Sequence, residues 1–238
     1  MRGSSSFLRL LLAAALLFSA SACSTRLDRE GRPETRVEAR YLLKSEIDRV
    51  TDVNREEVVA GLMRIADKLY KRNPREWRQA GLSSREAALE RLRQRQSWPA
   101  LTGKRERLAA AQAFAEDYRD DRVGALMFGL LTMVDAAFEH KDDFYILDSL
   151  NETKLFNAAR NMEIAIWKLG HDRNPAGEPY LLSNELDVNN RNLSFEREFG
   201  RVVGLLDFMA QIVADRNGRT LSRVTQSVAT AIFLPVSF

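Results

Sequence analysis

The fold of this chain is decided by residues 123–138, which read VGALMFGLLTMVDAAF. From Val123 to Val134 the only polar side chain belongs to Thr132, so this run offers almost no face to water. A helix of this length is too short to cross a bilayer, since a crossing needs about 20 residues. Asp120 and Asp121 directly precede the run and are good helix N-caps. The segment therefore predicts a central buried helix.

On both sides of this run, apolar residues recur three or four positions apart, which is the spacing of one helix face. Seven further helices are predicted. Their ranges are from after Asn54 to before Asn73, 75–80, 83–96, 104–118, 146–169, from Ser194 to Asn217, and 221–232. Ser83 and Glu86 have capping-box spacing at the start of the helix over 83–96, and Thr102 can cap the helix over 104–118. No stretch alternates apolar and polar residues as a half-buried strand does. We therefore expect an all-α single domain over residues 37–238, a helical bundle or orthogonal helical array of about seven to eight helices.

Composition limits the class of protein. The 238 residues are 45% apolar and 29% charged, with a single cysteine. Those proportions suit a packed globular chain, and they exclude an intrinsically disordered chain, a disulfide scaffold and a polytopic membrane protein. The length is enough to enclose one hydrophobic core.

The N-terminus shows the order of features found in a secretory signal. Arg2 is followed by an apolar run from Phe7 to Phe18, and then by small residues from Ser19 to Ala22. The uninterrupted apolar or small stretch from Leu10 to Ala22 is 13 residues long, which is shorter than a spanning helix. The sequence therefore predicts a signal peptide that is removed after Ala22.

The end of this signal, Ala20-Ser21-Ala22-Cys23, resembles the lipobox of bacterial lipoproteins, with Ala20 where that motif usually has Leu. The resemblance implies that the Cys23 thiol receives a diacylglycerol and that several acyl chains anchor the mature protein. Lipid attachment also explains why an exported protein carries one thiol that cannot pair. Because Ala20-Ser21-Ala22 also matches the A-x-A pattern of ordinary signal cleavage, secretion without a lipid stays open.

Lipidation at Cys23 divides the chain into three parts. Residues 1–22 are the cleaved signal peptide, residues 23–36 are a lipidated flexible tether around Gly31 and Pro33, and residues 37–238 are the helical domain. Ser24, rather than Asp, follows the cysteine, which in Gram-negative lipoproteins goes with delivery to the outer membrane. The expected location is the outer membrane of a bacterial envelope, with the domain facing the periplasm.

Charge is unevenly distributed along the mature chain. Removal of Arg2 and Arg9 from the 36 basic residues leaves 34 against 33 acidic residues, a formal charge of +1, which gives no reason to expect a nucleic-acid partner. Residues 71–107 nevertheless hold 11 basic and 4 acidic residues, whereas residues 116–154 hold 4 basic and 10 acidic residues. The two blocks either dock on one another or face separate partners.

The second interpretation gives the basic block a ligand. Its guanidinium groups, with Trp77 and Trp98 nearby, would bind anionic lipid headgroups or an acidic partner protein. The residues predicted for this anionic-partner site are Arg85, Arg91, Arg93 and Arg95.

Residues with catalytic or metal-binding chemistry lack the spacing of known motifs. The chain has no G-x-S-x-G, S-x-x-K, H-E-x-x-H or Walker-type phosphate loop, and no Glu-Ser pair of the kind typical of lytic transglycosylases. His140 and His171 are expected at helix ends, where an imidazole is commonly structural. A calcium loop at Asp187 and Asn189 is disfavoured because Arg191 falls on a ligand position. We expect no catalytic motif, no metal and no cofactor.

Isolated carboxylates could still act as general acids without a motif. Asp135, Glu163 and Asp207 interrupt apolar helical stretches, which makes them candidates. Asp135 also shares a polar stripe with Thr132 and Glu139, which predicts the solvent edge of the central helix. For the other two, partners three or four residues away favour ordinary helix-surface pairs. Those pairs are Glu163 with Arg160 and Asp207 with Gln211.

The C-terminal residues 232–238, IFLPVSF, are apolar and contain a proline that ends the last predicted helix. Two roles suit such a tail. It either packs back on the helices or offers a short docking segment to a partner.

Three functions stay open at this point. The first is a non-catalytic, lipid-anchored periplasmic scaffold or assembly factor whose partner is an envelope protein or anionic lipid. The second is a helical binding module for a hydrophobic ligand or lipid. The third is an envelope hydrolase that acts on peptidoglycan with motif-free carboxylates. The lack of motifs favours the first function, and with it a protein that is not an enzyme.

Overall fold

The computed structural model describes residues 24–27, 33–36, 44–145, 148–184, 192–218 and 232–237. Seven helices in these ranges pack together, which confirms the all-α prediction. They are α1 (Glu46–Arg72), α2 (Pro74–Gln79), α3 (Arg85–Arg93), α4 (Glu106–Gln112), α5 (Arg122–Ala137), α6 (Glu152–His171) and α7 (Ser194–Arg216), with a 3₁₀ turn at Pro99–Leu101. Two short antiparallel strands, β1 (Ser24–Leu27) and β2 (Pro33–Arg36), lie within the predicted tether, with Ser24 opposite Arg36.

Several predictions concern residues outside these ranges. They are the signal peptide and Cys23, residues 221–231 of the helix predicted over 221–232, and the calcium-loop positions Asp187 and Asn189. Within the described ranges, every helix falls short of the length and apolar content that a membrane crossing requires.

Helix α5 lies at the centre of the molecule, as its sequence predicts. Fourteen of its 16 residues are buried, including every residue from Val123 to Val134. Helices α1, α2, α3, α4 and α6 all contact it. Because α5 is apolar on nearly all sides, only enclosure by several helices removes its surface from water.

The predicted solvent edge of α5 is wrong. The side chain of Thr132 is buried, and its Oγ1 donates to the Phe128 carbonyl at 2.9 Å and accepts from the Glu106 amide at 2.8 Å. Asp135 is 13% exposed and faces the guanidinium groups of Arg55 and Arg95. Neighbouring elements supply partners to these polar atoms, so the helix does not need to turn them toward water.

Helices α6 and α7 pack along each other, and α7 also packs along α1. The predicted apolar face of α7 is buried, from Phe195 and Phe199 to Met209. A side-chain hydrogen bond joins α1 to α7, because Asn54 Nδ2 of α1 donates to the Leu205 carbonyl of α7 at 2.9 Å. Helix α7 therefore packs on α1 and α6, and these two helices contact α5.

The start of α1 differs from the prediction, which placed an N-cap at Asn54. The helix begins at Glu46, and Ser45 and Asp48 form a capping box at its N-terminus. The Ser45 amide donates to Asp48 Oδ2 at 2.8 Å, and the Asp48 amide donates to Ser45 Oγ at 3.2 Å. This reciprocal pair satisfies the first free backbone amides of α1. The helix therefore begins about two turns before Asn54 and runs through it.

Other predicted helix boundaries also move by a few residues. Ser84, rather than Ser83, caps α3 and accepts from the Ala87 amide at 3.1 Å. Thr102 has a left-handed backbone with φ 49°, so it ends the 3₁₀ turn and does not cap α4, which begins at Glu106. Asn151 caps α6, which starts later than the predicted residue 146, and Ser194 is the first residue of α7 and not its cap. Ser84 and Asn151 thus cap α3 and α6, whereas α4 and α7 begin without a side-chain cap.

The C-terminal tail packs back on the helices, as one of its two predictions states. Phe233 and Val236 are buried. Asn161 of α6 makes two hydrogen bonds to the backbone of Leu234. Its Nδ2 donates to the Leu234 carbonyl at 2.9 Å, and its Oδ1 accepts from the Leu234 amide at 2.6 Å. Ser237 Oγ donates to Glu106 at 2.7 Å. The tail therefore links α6 to α4.

A close approach between α4 and α5 depends on Gly129. A Cβ atom on Gly129 would lie 2.4 Å from the Ala110 amide nitrogen and 2.6 Å from the Glu106 carbonyl oxygen. Both contacts are to backbone atoms, which a rotamer change cannot relieve. The absence of a side chain at this position lets the two helices meet directly.

The N-terminus of α5 holds two buried carboxylates. Asp121 is the N-cap, and it accepts from the Gly124 amide at 2.7 Å and from the Tyr70 hydroxyl at 2.7 Å. Glu76 of α2 accepts from the Arg122 amide at 2.8 Å. Burial raises the pKa of Asp121 to about 7, although both of its hydrogen bonds act in the opposite direction. Burial also raises the pKa of Glu76.

Gly129→Ala is expected to destabilise the protein by about 1–3 kcal/mol, because the added methyl group forces α4 and α5 apart. The matched control is Gly204→Ala in α7, where a Cβ atom meets nothing within 4 Å. That change should stabilise the protein by up to about 1 kcal/mol through helix propensity. Chemical denaturation measures both free energies of unfolding, and a Gly129→Ala protein as stable as the wild type would contradict the close approach.

The raised pKa of Asp121 predicts a pH-dependent stability. Because the folded protein binds this proton more tightly than the unfolded chain, the group contributes stability that is complete below about pH 4 and is lost as the pH rises to about 7. The Asp121→Asn variant lacks this titration and keeps the Glu76 carboxyl. Thermal melts from pH 4 to 8 should show the wild type losing stability relative to the variant as the pH rises, whereas parallel curves would contradict the assignment.

Candidate functional site

The four arginines predicted to bind an anionic partner each have a partner within the chain. Arg85 pairs with Asp67 at 3.2 Å and with Glu86 at 2.7 Å, and Arg93 pairs with Glu90 at 3.2 Å. Arg91 donates to the Ser97 carbonyl and lies 5.2 Å from the Trp98 ring, and Arg95 pairs with Asp135 at 2.7 Å. The side chain of Arg93 is more exposed than those of Arg85 and Arg95. An external anion would have to compete with these contacts.

The basic and acidic blocks dock on one another through Asp135. Its carboxylate accepts from Arg95 of the basic block at 2.7 Å and from Arg55 of α1 at 3.4 Å. Arg55 also pairs with Asp142 at 2.5 Å. Trp98, which was placed beside the basic site, is 2% exposed and packs against Phe128 in the core. These contacts support the intramolecular interpretation of the charge asymmetry.

The other two candidate acids share one guanidinium group. Arg160 pairs with Glu163 at 3.3 Å, as the sequence predicts, and with Asp207 of α7 at 2.6 Å. The predicted pair of Asp207 with Gln211 is wrong, because Gln211 donates to Asp215 at 2.8 Å. Within the described ranges, no group of three or more His, Cys, Asp or Glu side chains is arranged to hold a metal ion.

An exposed apolar surface runs across α1 and α7, and we call it the α1–α7 surface. Large apolar side chains on the outer faces of the two helices stand in solvent there, next to two that are half-buried. Its residues are Ile47, Val50 and Val53 of α1, exposed by 42%, 43% and 55%, Phe208 of α7, exposed by 57%, and the half-buried Leu205 and Ile212.

Both helices contribute to one continuous surface. The Asn54–Leu205 hydrogen bond holds the helices side by side at its centre, and Ile47 and Ile212 line the same hollow of about 230 Å³ at its end. A Glu57–Arg201 ion pair of 2.8 Å borders the opposite end. The surface therefore has an apolar centre and a charged rim that carries both signs, which is the anatomy of a protein interface.

The sequence predictions missed this surface because they began α1 behind Asn54. Ile47, Val50 and Val53 are spaced three apart, and this spacing places them beside the buried series that includes Thr51 and Val58. The signal that could have predicted this surface is a second apolar stripe on a helix that already has one buried face.

A cleft of about 440 Å³ opens at the C-terminal end of α6. The last turn of α6, the loop after it and the first turn of α7 form its walls. Its lining includes Trp167 and His171, whose rings stack at 4.5 Å, and the carboxylates Glu163 and Glu196. The cleft is separate from the α1–α7 surface, because the two share no residue.

Comparison with protein-family models, curated proteins and solved structures finds no match to this chain. Functional inference therefore rests on the residues and on their arrangement.

Proposed function

We propose that this protein is a lipid-anchored lipoprotein of the bacterial outer membrane, facing the periplasm, which acts as a non-catalytic scaffold or assembly factor. In this proposal Cys23 carries the lipid, and the α1–α7 surface docks an envelope protein. The exposed apolar centre of that surface is the observation that carries the docking role.

Exposure of this surface costs free energy in a monomer. Complete burial of a large apolar side chain gains about 1.5–3 kcal/mol, and the side chains of this surface, which are about half exposed, forgo a part of that gain. Val50 and Val53 of α1 and Phe208 of α7 stand on two helices that the Asn54–Leu205 hydrogen bond holds side by side, whereas Leu108 is a single exposed residue on α4. Contiguous apolar patches with a polar rim mark interaction sites on soluble domains.

The charges around the surface favour a protein partner over an anionic lipid. Arg201 is paired with Glu57 at the rim. The exposed faces of α1 and α7 also carry Glu46, Arg49 and Asp215, so both signs are present. An anionic membrane attracts clusters of Lys and Arg, whereas a mixed rim suits a partner with complementary charges.

The candidate acids of the hydrolase alternative are held in ion pairs. Asp135 contacts two arginines, and Asp207 contacts Arg160 at 2.6 Å. This pairing supports a structural role for both residues.

Cys23→Ala tests the lipid anchor. The wild-type protein should incorporate radiolabelled palmitate and sediment with membranes, and the variant should lose both properties, because no other thiol exists in the chain. Full membrane retention of the unlabelled variant would overturn the anchor, and the signal would then be an ordinary secretory one.

Phe208→Glu tests the docking surface. With a photocrosslinking amino acid at position 53, we expect a discrete adduct in envelopes that falls roughly tenfold or more when a charge is buried at position 208. The matched control is Leu108→Glu on α4, where a side chain exposed by 51% is changed in the same way.

The crosslinker is also placed at position 108, where no discrete adduct is expected. The docking role fails if positions 53 and 108 give the same adducts, or if Phe208→Glu and Leu108→Glu reduce the adduct at position 53 equally. Thermal melts of both variants show that they remain folded.

A further inference from the structure

The cleft at the end of α6 has an apolar floor and a polar rim. The floor is formed by Ile166, Leu169 and Leu181, which are 9%, 3% and 2% exposed. The polar rim includes Glu163, His171, Ser183, Asn184 and Glu196. A volume of about 440 Å³ suits a small organic molecule, and this division between floor and rim is typical of ligand sites.

An aromatic pair stands at the cleft. The rings of Trp167 and His171 are 4.5 Å apart and inclined by 9°, so they are stacked. His171 Nδ1 lies 2.8 Å from the Trp167 carbonyl oxygen, which only accepts, so Nδ1 carries the hydrogen. In the neutral imidazole this leaves Nε2 as an acceptor.

Asn184 and Glu163 place further acceptor groups at the cleft. Asn184 Nδ2 donates to Glu196 at 3.0 Å, whereas Asn184 Oδ1 is buried and has no hydrogen-bond partner in the part of the chain that the structure describes. Such a buried carbonyl gains from a donor. Glu163 adds a carboxylate that shares Arg160 with Asp207, so one guanidinium serves two carboxylates and a net negative charge remains.

One cation, Arg173, also lines the cleft. Arg173 donates to the Gly170 carbonyl at 2.8 Å and to the Asp172 carbonyl at 3.0 Å, which places its guanidinium against the end of α6. Lys168 pairs with Asp172 at 2.5 Å. The C-terminus of a helix also carries a partial negative charge. The lining of the cleft therefore carries two carboxylates, Glu163 and Glu196, against one guanidinium, beside an aromatic face.

From this arrangement we infer that the cleft binds a small organic cation, a primary ammonium group attached to an apolar body. The ammonium group donates to the Asn184 carbonyl and to the carboxylates of Glu163 and Glu196, while the indole of Trp167 attracts the charge. The apolar body covers the floor of the cleft. Burial raises the pKa of Glu163, and the charge of the nearby Asp207 raises it further. A bound cation lowers this pKa again.

Calorimetric titration with three probes of one shape tests the inference. The probes are 2-phenylethylammonium, neutral 2-phenylethanol and anionic phenylacetate, each added to the wild-type protein at pH 7. We expect the ammonium probe to bind roughly tenfold or more tightly than the alcohol, and the carboxylate to bind least, because only the ammonium supplies charge and donors. Equal binding of all three probes, or binding of none, would overturn the inference.

Variants locate the binding. The double variant Glu163→Gln, Glu196→Gln should weaken binding of the ammonium probe roughly tenfold and leave 2-phenylethanol unchanged. The matched control is Glu90→Gln on α3, which removes a carboxylate exposed by 53% outside the cleft and should change nothing. A double variant that binds like the wild type, or a Glu90→Gln protein that loses as much affinity, would contradict the site.

A second measurement does not depend on the variants. Intermolecular NMR contacts from the ammonium probe should reach the methyl groups of Ile166, Leu169 and Leu181 in the wild-type protein. Contacts that map to the α1–α7 surface instead would overturn the inference. The result is independent of the docking role, because the cleft and that surface share no residue.

Discussion

Burial of α5 is the constraint on which the rest of the structure depends. A helix with Thr132 as the single polar side chain over twelve residues has no face that tolerates water, so the chain must surround it. The long helices α1 and α6 and the short helices α2, α3 and α4 all contact it. Where α4 comes closest, the contact is between backbones and requires the glycine at position 129.

Enclosing this helix also brings polar groups into the interior, and three of them are matched by a partner from another element. Tyr70 donates to the Asp121 cap, the Glu106 amide donates to Thr132, and Asn161 binds the backbone of the C-terminal tail. These contacts join residues that are far apart in sequence. They give the packing its register, because an unpaired buried polar group costs about 1–3 kcal/mol.

The same enclosure explains where functional surfaces remain. The charges that looked most available in the sequence, including Arg95 and Asp135, are used to hold elements together. Apolar side chains on the outer faces of α1 and α7 stay in solvent, and at the cleft beyond α6 the Asn184 carbonyl has no hydrogen-bond partner among the described residues. These two regions, rather than the basic block, carry the proposals of an interface and of a cation site.

The sequence by itself determined the all-α class, the central place of α5 and the buried face of α7, because these follow from the spacing of apolar residues along one helix. It did not determine that α1 starts at Glu46, that Thr132 and Asp135 are enclosed, or that Phe208 shares a surface with Val53. Only the tertiary structure decided these, because each depends on a neighbour more than 20 residues away or on a choice between nearby caps. A periodic pattern specifies which face of a helix avoids water, whereas the partner that covers the face is set by packing in three dimensions.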